Sequence, residues 1–394
     1  MTIRTRATAT SEVRSVRDAP KARVRRAPER RAVLLLLPIV ILLVVGLGAV
    51  LSASSVVAIR EGLDQYAIFR KQLAFVGVGV VALVVAAKVP YRVYQRLAAP
   101  ILVVAVAGLV ATMFAGSVRG GARRWIELGP LTLQTSEFAK FAVVVFLSAA
   151  LSRKERYLGR LSHVFWPVAG SLGVVTILLL RQPDLGTALL IAGAAFAVLL
   201  ASAAPLRHIG TLGGAAVVGS VMLALAEPYR RARVLSFLDP NPDRLDEGLQ
   251  AFQSLVALGT GGIFGVGLGA SRARWSFLPN AHTDFIFAIV GEETGLAGSL
   301  TVLALFVVFA VVGTVIALRA SDQFGRLLAT GIVAWLSLQA IVNIGGVVKA
   351  LPITGVPLPF VSAGGSAMIV NLAVAGVLVN IARNGLGPRT KDEP

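Results

Sequence analysis

Residues 284–318 read DFIFAIVGEETGLAGSLTVLALFVVFAVVGTVIAL, an apolar stretch that opens with a carboxylate and carries a short polar interruption. As one straight helix it would be roughly 50 Å long, although the hydrocarbon core of a bilayer is only about 30 Å thick. Residues 296–318 are long enough to cross the bilayer by themselves. The preceding turns are therefore predicted to lie at the interface or to line a cavity walled by protein.

The composition of the whole chain also indicates a membrane protein. Its 394 residues are 56% hydrophobic and 15% charged, and the mean hydropathy is +0.79. A soluble protein of this size needs more charge to cover its surface, so a polytopic membrane protein is the class that fits. Cysteine is absent, which excludes disulfides and thiolate metal sites. The three histidines, His163, His208 and His282, are too scattered for a histidine metal cluster.

Ten apolar segments predict an all-α fold of about ten transmembrane helices, each near the roughly 20 residues that a span needs. When the chain is threaded alternately from a cytoplasmic amino terminus, the positive-inside bias is satisfied. Both termini are then cytoplasmic, and the large loop between the seventh and eighth spans, residues 227–283, is extracytoplasmic. The segments are residues 32–54, 72–89, 97–115, 137–151, 164–180, 186–204, 209–226, 284–318, 327–347 and 363–382.

The net charge of +18 is unevenly distributed. Residues 1–31 are rich in arginine and precede an apolar run, a pattern typical of a basic disordered cytoplasmic tail attracted to anionic lipid. A nucleic-acid-binding arm is the less favoured alternative. The apolar run is too long for a cleaved signal sequence, so residues 32–383 are predicted to form the transmembrane domain and 384–394 a short cytoplasmic tail.

The predicted external loops are also rich in arginine, against the orientation bias. This suggests an anionic partner at the outer face, because a guanidinium group donates two parallel hydrogen bonds to phosphate oxygens. Pairing with acids of the same loops remains open for any single arginine. The residues are Arg119, Arg123 and Arg124 in loop 116–136, and Arg230, Arg231, Arg233, Arg244, Arg272 and Arg274 in loop 227–283.

Asp284 begins the eighth apolar segment, where a carboxylate faces a large desolvation cost unless the protein uses it. On residue type alone, capping of the helix by Thr283 and Asp284 is the simpler explanation. Glu292 and Glu293 can likewise belong to a solvated interfacial turn. The sequence therefore leaves both a structural and a chemical role open for these acids.

Four other polar features bear on the site, and the first two leave similar alternatives. The loop at 259–269, with Gly261 and Gly262, can approach a ligand closely or be a flexible re-entrant loop. Glu137 and Lys140 share one helix face, where they either neutralise each other or present a lysine to phosphate. Asp184 is predicted to cap the next helix. Prolines and glycines at 352–366 indicate a polar cleft open to the outer leaflet.

Together these segments resemble the SEDS family (shape, elongation, division and sporulation), whose members polymerise the glycan strands of bacterial peptidoglycan. The resemblance covers nearly the whole chain after residue 32, and residues 281–293 are more similar to the division branch than to the elongation branch. Lys349 departs from the family pattern, where a small residue is usual. The matching segments are Gly121-Ala-Arg-Arg-Trp-Ile126, Gln134-Thr-Ser-Glu-Phe-Ala-Lys140, Gln182-Pro-Asp-Leu-Gly-Thr187, residues 253–293, Asn343-Ile-Gly345, Pro352-Ile-Thr-Gly-Val-Pro-Leu-Pro359 and Gly364-Gly-Ser366.

The resemblance implies glycosyl transfer between two lipid-linked saccharides at the outer face of the bacterial cytoplasmic membrane, at the division septum. Asp284 would be the catalytic base that takes a proton from the attacking 4-hydroxyl of lipid II, with undecaprenyl pyrophosphate as the leaving group. A divalent cation, Mg²⁺ or Mn²⁺, near Asp284 fits the same chemistry. The implied substrate-binding residues are Arg124, Lys140, Arg272, Arg274, His282, Lys349 and Ser366, and the supporting residues are Glu137, Glu292, Glu293, Gly261 and Gly262.

The implied partners are a class B penicillin-binding transpeptidase and other membrane proteins of the division machinery, without nucleic acid. Two other functions remain open at this point. A lipid II flippase needs a hydrophilic path through both leaflets, whereas the inner halves of most spans are smoothly apolar. A non-catalytic division scaffold predicts that replacing Asp284 by Asn has no effect in cells.

Overall fold

The computed structural model describes residues 21–60, 62–119, 122–129, 131–227, 231, 237, 247–273 and 281–384. Within these residues the chain forms twelve α-helices and one small antiparallel sheet. The helices are α1 (Lys21–Arg60), α2 (Ala67–Lys88), α3 (Tyr91–Arg96), α4 (Ala98–Ala115), α5 (Thr135–Arg153), α6 (Leu161–Arg181), α7 (Leu185–Ala201), α8 (Leu206–Ala226), α9 (Glu247–Gly261), α10 (Ile286–Leu318), α11 (Gln323–Val347) and α12 (Gly365–Asn384).

The described helices fit the predicted membrane fold. Nine of them are long and apolar enough to cross a membrane, and α7 is an apolar helix of 17 residues. At about 1.5 Å per residue, α7 covers roughly 25 Å, slightly less than the hydrocarbon core. The all-α polytopic fold is therefore confirmed. The total of ten spans, the cytoplasmic termini and the external position of loop 227–283 stay predictions.

The first helix is longer than the sequence predicted. It begins at Lys21, inside the segment predicted as a disordered tail, so the chain is helical rather than disordered from that residue onward. Arginine and alanine supply seven of the eleven residues 21–31, and both have high helix propensity. The predictions for residues 1–20 and 385–394 lie outside the described residues.

A three-stranded antiparallel sheet, which the sequence did not predict, occupies the loop between α4 and α5. Its strands are β1 (Ser117–Arg119), β2 (Ala122–Leu128) and β3 (Leu131–Gln134), in the order β1-β2-β3. In the second pair, Trp125 faces Gln134 and Leu128 faces Leu131, so a two-residue turn joins the strands. Gly129 in this turn has φ +63°, as tight hairpin turns require. The sheet fixes Arg124 and Trp125 over the end of the helix bundle.

The helix formed by the eighth apolar segment is interrupted at Gly295, next to residue 296, where the predicted bilayer span begins. Gly295 has φ 69° and ψ −164°, a conformation that is essentially restricted to glycine. The glycine loop (residues 259–273) satisfies the backbone groups freed by the break: Leu296 N donates to Gly262 O at 2.9 Å, and Val266 N donates to Glu292 O at 3.0 Å. Residues 286–294 thus form a short buried helix next to the loop, and residues 296–318 form the long span.

The most deeply buried helices are α5, α11 and α12, while α8 lies at the periphery. Close packing at the centre depends on a small residue, as membrane helix interfaces usually do. A Cβ at Gly331 of α11 would lie 2.5 Å from a methyl group of Val144 and 2.7 Å from one of Val198. The centre of the bundle is therefore a dry contact between α5, α7 and α11.

Candidate active site

A cavity of about 530 Å³ opens at one end of the bundle. It is lined by the first turns of α2, α5, α7 and α12, by the sheet, and by the segments 282–284 and 355–357. Alternate threading of the chain places every one of these ends on the external face. Six of the lining residues are ionisable, namely Lys71, Arg124, Glu137, Asp184, His282 and Asp284.

Asp284 lies in this cavity on a segment held through its main chain. Its carbonyl oxygen accepts a hydrogen bond from Asn343 Nδ2 at 2.8 Å, and the same amide donates to Val356 O at 2.8 Å. One residue earlier, Thr283 O accepts from the hydroxyl of Ser362 at 2.6 Å. These contacts fix the backbone at Asp284 and leave its carboxylate on the cavity wall.

Asp284 is not the N-cap residue of its helix. Helix α10 begins at Ile286 with Phe285 at the N-cap position. On the opposite side of the carboxylate, Gly355 has φ +70°, and a Cβ added there would lie 3.7 Å from Asp284 Oδ2. The glycine therefore keeps space beside the acid.

Lys140 has a structural position rather than the phosphate-binding one proposed from the sequence. It is 1% exposed, and its Nζ lies 2.8 Å from Glu137 Oε1 and 2.8 Å from Gln339 Oε1. The same ammonium group lies 5.0 Å from the centre of the Trp335 ring. Three partners satisfy the buried charge, so the structure favours the neutralising alternative for the pair formed by Glu137 and Lys140.

Two buried acids of the cavity wall keep an oxygen for another ligand. Asp184 caps α7, as predicted, by accepting from Thr187 N at 3.2 Å through Oδ1. Its Oδ2 and the Oε2 of Glu137 are buried and have no hydrogen-bond partner among the described residues. Because an unpaired buried oxygen is costly, both atoms are suited to accept hydrogen bonds from a bound molecule.

Arg124 reaches the cavity from strand β2. Its Nε donates to Gln182 O at 3.0 Å and its Nη2 donates to Pro183 O. These bonds tie the sheet to the turn before α7 and place the guanidinium close to Asp184. Among the nominated arginines whose side chains the structure describes, Arg124 is the one that lines the cavity; Arg230, Arg233 and Arg244 lie outside the described residues.

The sequence analysis missed Lys71 and Gln72, which line the cavity from the first turns of α2. Gln72 is buried; its Nε2 lies 3.4 Å from Ser362 O and its Oε1 accepts from Gly364 N at 3.3 Å. The available signal was the basic pair next to the start of the second apolar segment, on its external side. This signal is weak, because basic residues at span ends usually only mark the interface.

The remaining candidates divide between the cavity and its surroundings. His282 and Ser366 line the cavity, and Ser366 Oγ accepts from Gln134 N at 3.0 Å. Arg272 is exposed on the glycine loop and Lys349 follows α11, so neither lines the cavity. Lys349 has φ +54°, which explains why a small residue is usual at this position. Arg274 lies outside the described residues.

Glu292 and Glu293 are buried rather than solvated. Glu292 accepts hydrogen bonds from Ser271 Oγ, Arg272 N and Ala273 N, and Glu293 accepts one from Ser52 Oγ. A Cβ at Gly261 would collide with the carbonyl oxygen of Gly291, so the loop packs directly against the helix. Gly262, with φ +54°, supplies the turn. Of these four supporting candidates, Gly261 and Gly262 shape the glycine loop and Glu292 anchors its far end, while Glu293 is bonded to α1.

The described residues contain no group of three or more His, Asp or Glu side chains arranged to hold a metal ion. In a site with so few protein ligands, a hard cation depends on oxygens that a phosphorylated ligand brings. Asp284 remains the residue of this cavity nominated for such a role.

The comparison with known proteins agrees with this arrangement. The family model FTSW_RODA_SPOVE, described as "Cell cycle protein", matches residues 33–385. The chain belongs to this family. The match covers the residues that line the cavity and nearly all of the described helices. The resemblance to the SEDS family is therefore confirmed. The chain is a multi-pass membrane protein.

Individual members of the family are similar over almost their whole length. The chain is 38% identical over 352 residues to "Stage V sporulation protein E" of Bacillus subtilis (strain 168), covering 89% of this chain and 96% of the relative. It is 38% identical over 356 residues to "Probable peptidoglycan glycosyltransferase FtsW" of Geobacter metallireducens, covering 90% and 95%. A solved chain from a study of a peptidoglycan synthase complex that coordinates polymerization and crosslinking is 28% identical, with a TM-score of 0.71 and coverage of 91% and 98%.

Proposed function

We propose that this protein is a peptidoglycan glycosyltransferase that polymerises lipid II into glycan strands at the outer face of the bacterial cytoplasmic membrane. The observation that carries the proposal is the carboxylate of Asp284 in an open cavity that also holds two cations, Lys71 and Arg124. Its relative FtsW from Geobacter metallireducens, which bears the name of this activity, supports the reaction class.

Asp284 acts as the general base. The oxygen of the GlcNAc 4-hydroxyl of lipid II forms a bond to C1 of the terminal MurNAc on the growing strand, while the C1–oxygen bond to undecaprenyl pyrophosphate breaks with inversion. The hydroxyl proton passes to Asp284, and the bonding electrons leave with the pyrophosphate. A positioned base of this kind contributes about 10²–10⁴-fold to the rate. The main-chain anchors from Asn343 and Ser362 hold the carboxylate in place for the transfer.

The buried oxygens of Glu137 and Asp184 accept hydrogen bonds from sugar hydroxyl groups or amides. Both residues line the cavity, and these buried oxygens have no hydrogen-bond partner among the described residues. Binding a saccharide there would satisfy them, which favours a ligand rich in hydroxyl donors over a plain phospholipid. The fixed guanidinium of Arg124 offsets the negative charge that develops on the leaving pyrophosphate.

A divalent cation is part of the proposal as a component brought in with substrate. Magnesium typically binds proteins through one or two carboxylates and completes its octahedron with phosphate oxygens and water. Asp284 supplies such a carboxylate, and the substrate supplies the pyrophosphate oxygens. The cation would then neutralise charge on the leaving group.

We also propose a class B penicillin-binding transpeptidase and other division proteins as partners, and the division septum as the site of action. The similarity to a chain from a peptidoglycan synthase complex supports a crosslinking partner. The similarity to FtsW and to a sporulation protein supports a role in building a septum rather than the side wall.

The test uses the full-length protein purified with its cognate class B penicillin-binding protein in lipid nanodiscs. With lipid II supplied, the wild type is expected to form glycan strands that resolve on a gel, and Asp284→Asn to lower the initial rate by about 10²–10⁴-fold. Because Asn is nearly isosteric, loss of the base is separated from loss of the fold.

The matched control is Asp64→Asn, which alters an exposed external acid outside the cavity. It is expected to polymerise at the wild-type rate. Full activity in both Asp284→Asn and Asp284→Ala would exclude the general-base role. A wild type that forms no strands with any cognate partner would exclude the glycosyltransferase itself.

A further inference from the structure

We propose that Lys71 binds a pyrophosphate group of the lipid-linked substrate in the cavity that contains Asp284. This inference rests on the proposed function and assigns a residue that the sequence motifs did not nominate. Lys71 lies near the beginning of α2, and its side chain forms part of the cavity wall.

The first argument is the charge that remains available in the cavity. Lys140 is consumed by its buried pair with Glu137, while Arg272 and Lys349 lie elsewhere. Arg124 already donates from two of its three nitrogens to backbone carbonyls. Lys71, in contrast, is exposed and has no hydrogen-bond or ion-pair partner among the described residues. All three of its N–H donors can therefore bind an anion.

The second argument is that the backbone beneath Lys71 is fixed relative to Asp284. The buried side chain of Gln72 bonds to Ser362 O and Gly364 N, so it ties α2 to the turn before α12. The same turn holds the catalytic segment, since Ser362 Oγ donates to Thr283 O. Two consecutive links thus connect the residue beside Lys71 to the residue beside Asp284. A cation placed in this way can be pre-organised for one anion.

The neighbouring residue shows that the position of Lys71 is distinctive. Arg70 is equally exposed but forms an ion pair with Asp64 and does not line the cavity. Both cations lie in the first turns of α2, and either one could mark the membrane interface there. Lining of the cavity is what distinguishes Lys71 from Arg70. An ammonium group acts on phosphate as a compact point charge, without the bidentate geometry of arginine. Lys71 can therefore bind the pyrophosphate without a fixed hydrogen-bond geometry.

The experiment measures initial rates of polymerisation against lipid II concentration for the full-length protein with its cognate partner. We expect Lys71→Gln to raise KM by about tenfold to about a hundredfold, the factor expected for one charge-assisted hydrogen bond. Lys71→Arg should restore KM to within a few-fold of the wild type. Arg70→Gln, which removes the adjacent charge, should leave KM unchanged. Equal KM values for Lys71→Gln and the wild type would overturn the proposal.

A second measurement separates substrate from membrane lipid. Farnesyl pyrophosphate should inhibit the wild type and Arg70→Gln equally, and Lys71→Gln about tenfold or more weakly. The rates are compared in nanodiscs of phosphatidylcholine alone and in nanodiscs that also contain phosphatidylglycerol. A defect of Lys71→Gln that occurs only with phosphatidylglycerol would mean that Lys71 binds phospholipid headgroups, which overturns the assignment.

Failure of this inference can be told apart from failure of the proposed function. If the wild type forms no glycan, the function is wrong, and direct binding of farnesyl pyrophosphate to wild-type and Lys71→Gln protein still decides the role of Lys71. If the wild type forms glycan and the two proteins have the same affinity for farnesyl pyrophosphate, the function stands and the Lys71 assignment falls.

Discussion

Removing the carboxylate of Glu292 should release the glycine loop from the short helix that follows Asp284. Glu292 is 2% exposed and accepts hydrogen bonds from Ser271 Oγ, from Arg272 N at 3.0 Å and from Ala273 N at 3.2 Å. In Glu292→Ala the serine hydroxyl can rotate toward another acceptor, but the two backbone amides cannot. Two buried donors are then left without a partner.

The size of the effect follows from these two lost bonds. A hydrogen bond to a charged group contributes about 1.5–3 kcal/mol, so the loop should open more easily by at least about 3 kcal/mol. That energy corresponds to a change of roughly a hundredfold or more in the local opening equilibrium. Glu292→Gln keeps one acceptor oxygen and should give an intermediate change.

Hydrogen–deuterium exchange of the amides of Arg272 and Ala273 reports this opening directly. Their protection should fall roughly a hundredfold in Glu292→Ala and stay unchanged in the control Glu155→Ala, which alters an exposed acid far from the loop. Glycan synthesis should fall in parallel, because the loop packs on the helix that begins two residues after Asp284. Unchanged exchange at both amides in Glu292→Ala would refute the anchoring role of this acid.

Two further substitutions test the packing that surrounds the site. Gly295→Ala should lower the melting temperature, because alanine at φ 69° and ψ −164° costs about 1–3 kcal/mol. The control Gly48→Ala should leave the melting temperature unchanged, because a new Cβ at Gly48 meets open space. Equal melting temperatures for the two variants would contradict backbone strain at Gly295. Lys140→Met should destabilise the protein by about 3–5 kcal/mol because it leaves a buried carboxylate unpaired, and adding Glu137→Gln should recover part of the loss in the same thermal unfolding assay. A double variant no more stable than Lys140→Met would show that the pair is not the source of the effect.

The membrane fold could be predicted because its determinants are local and strong. Length and hydropathy define the spans, and the excess length of 284–318 correctly indicated two roles within one segment. The sheet at 117–134 was not predicted, since its three short strands depend on mutual pairing and on contact with the bundle end. The helical start of α1 was missed because charge was read as disorder, although arginine and alanine favour helix.

The candidate site was predicted in part. Asp284 and Arg124 were nominated because an acid at the start of a span and arginines in external loops are unusual, and both residues line the cavity. Their catalytic and substrate-binding roles stay predictions. Lys140 was misjudged, since the spacing from Glu137 shows that two residues share a helix face but not that Gln339 and Trp335 close over them. Lys71 was not predicted. Its position in the cavity depends on which residues α2 contacts in the folded protein, and the local sequence does not specify those contacts.

The apolar contact at the centre of the helix bundle favours polymerisation over transport. A flippase must pass a pyrophosphate and two sugars across both leaflets, which requires polar groups along the whole path. Below the buried cluster of Lys140 and Gln339, the described parts of α5, α7 and α11 meet in an apolar contact, with Gly331 pressed against Val144 and Val198. Opening that contact would separate α5 from α11, two of the most deeply buried described helices. A cavity that is lined by charged residues at one end of the bundle, next to an apolar helix contact, suits chemistry on a headgroup that already lies outside.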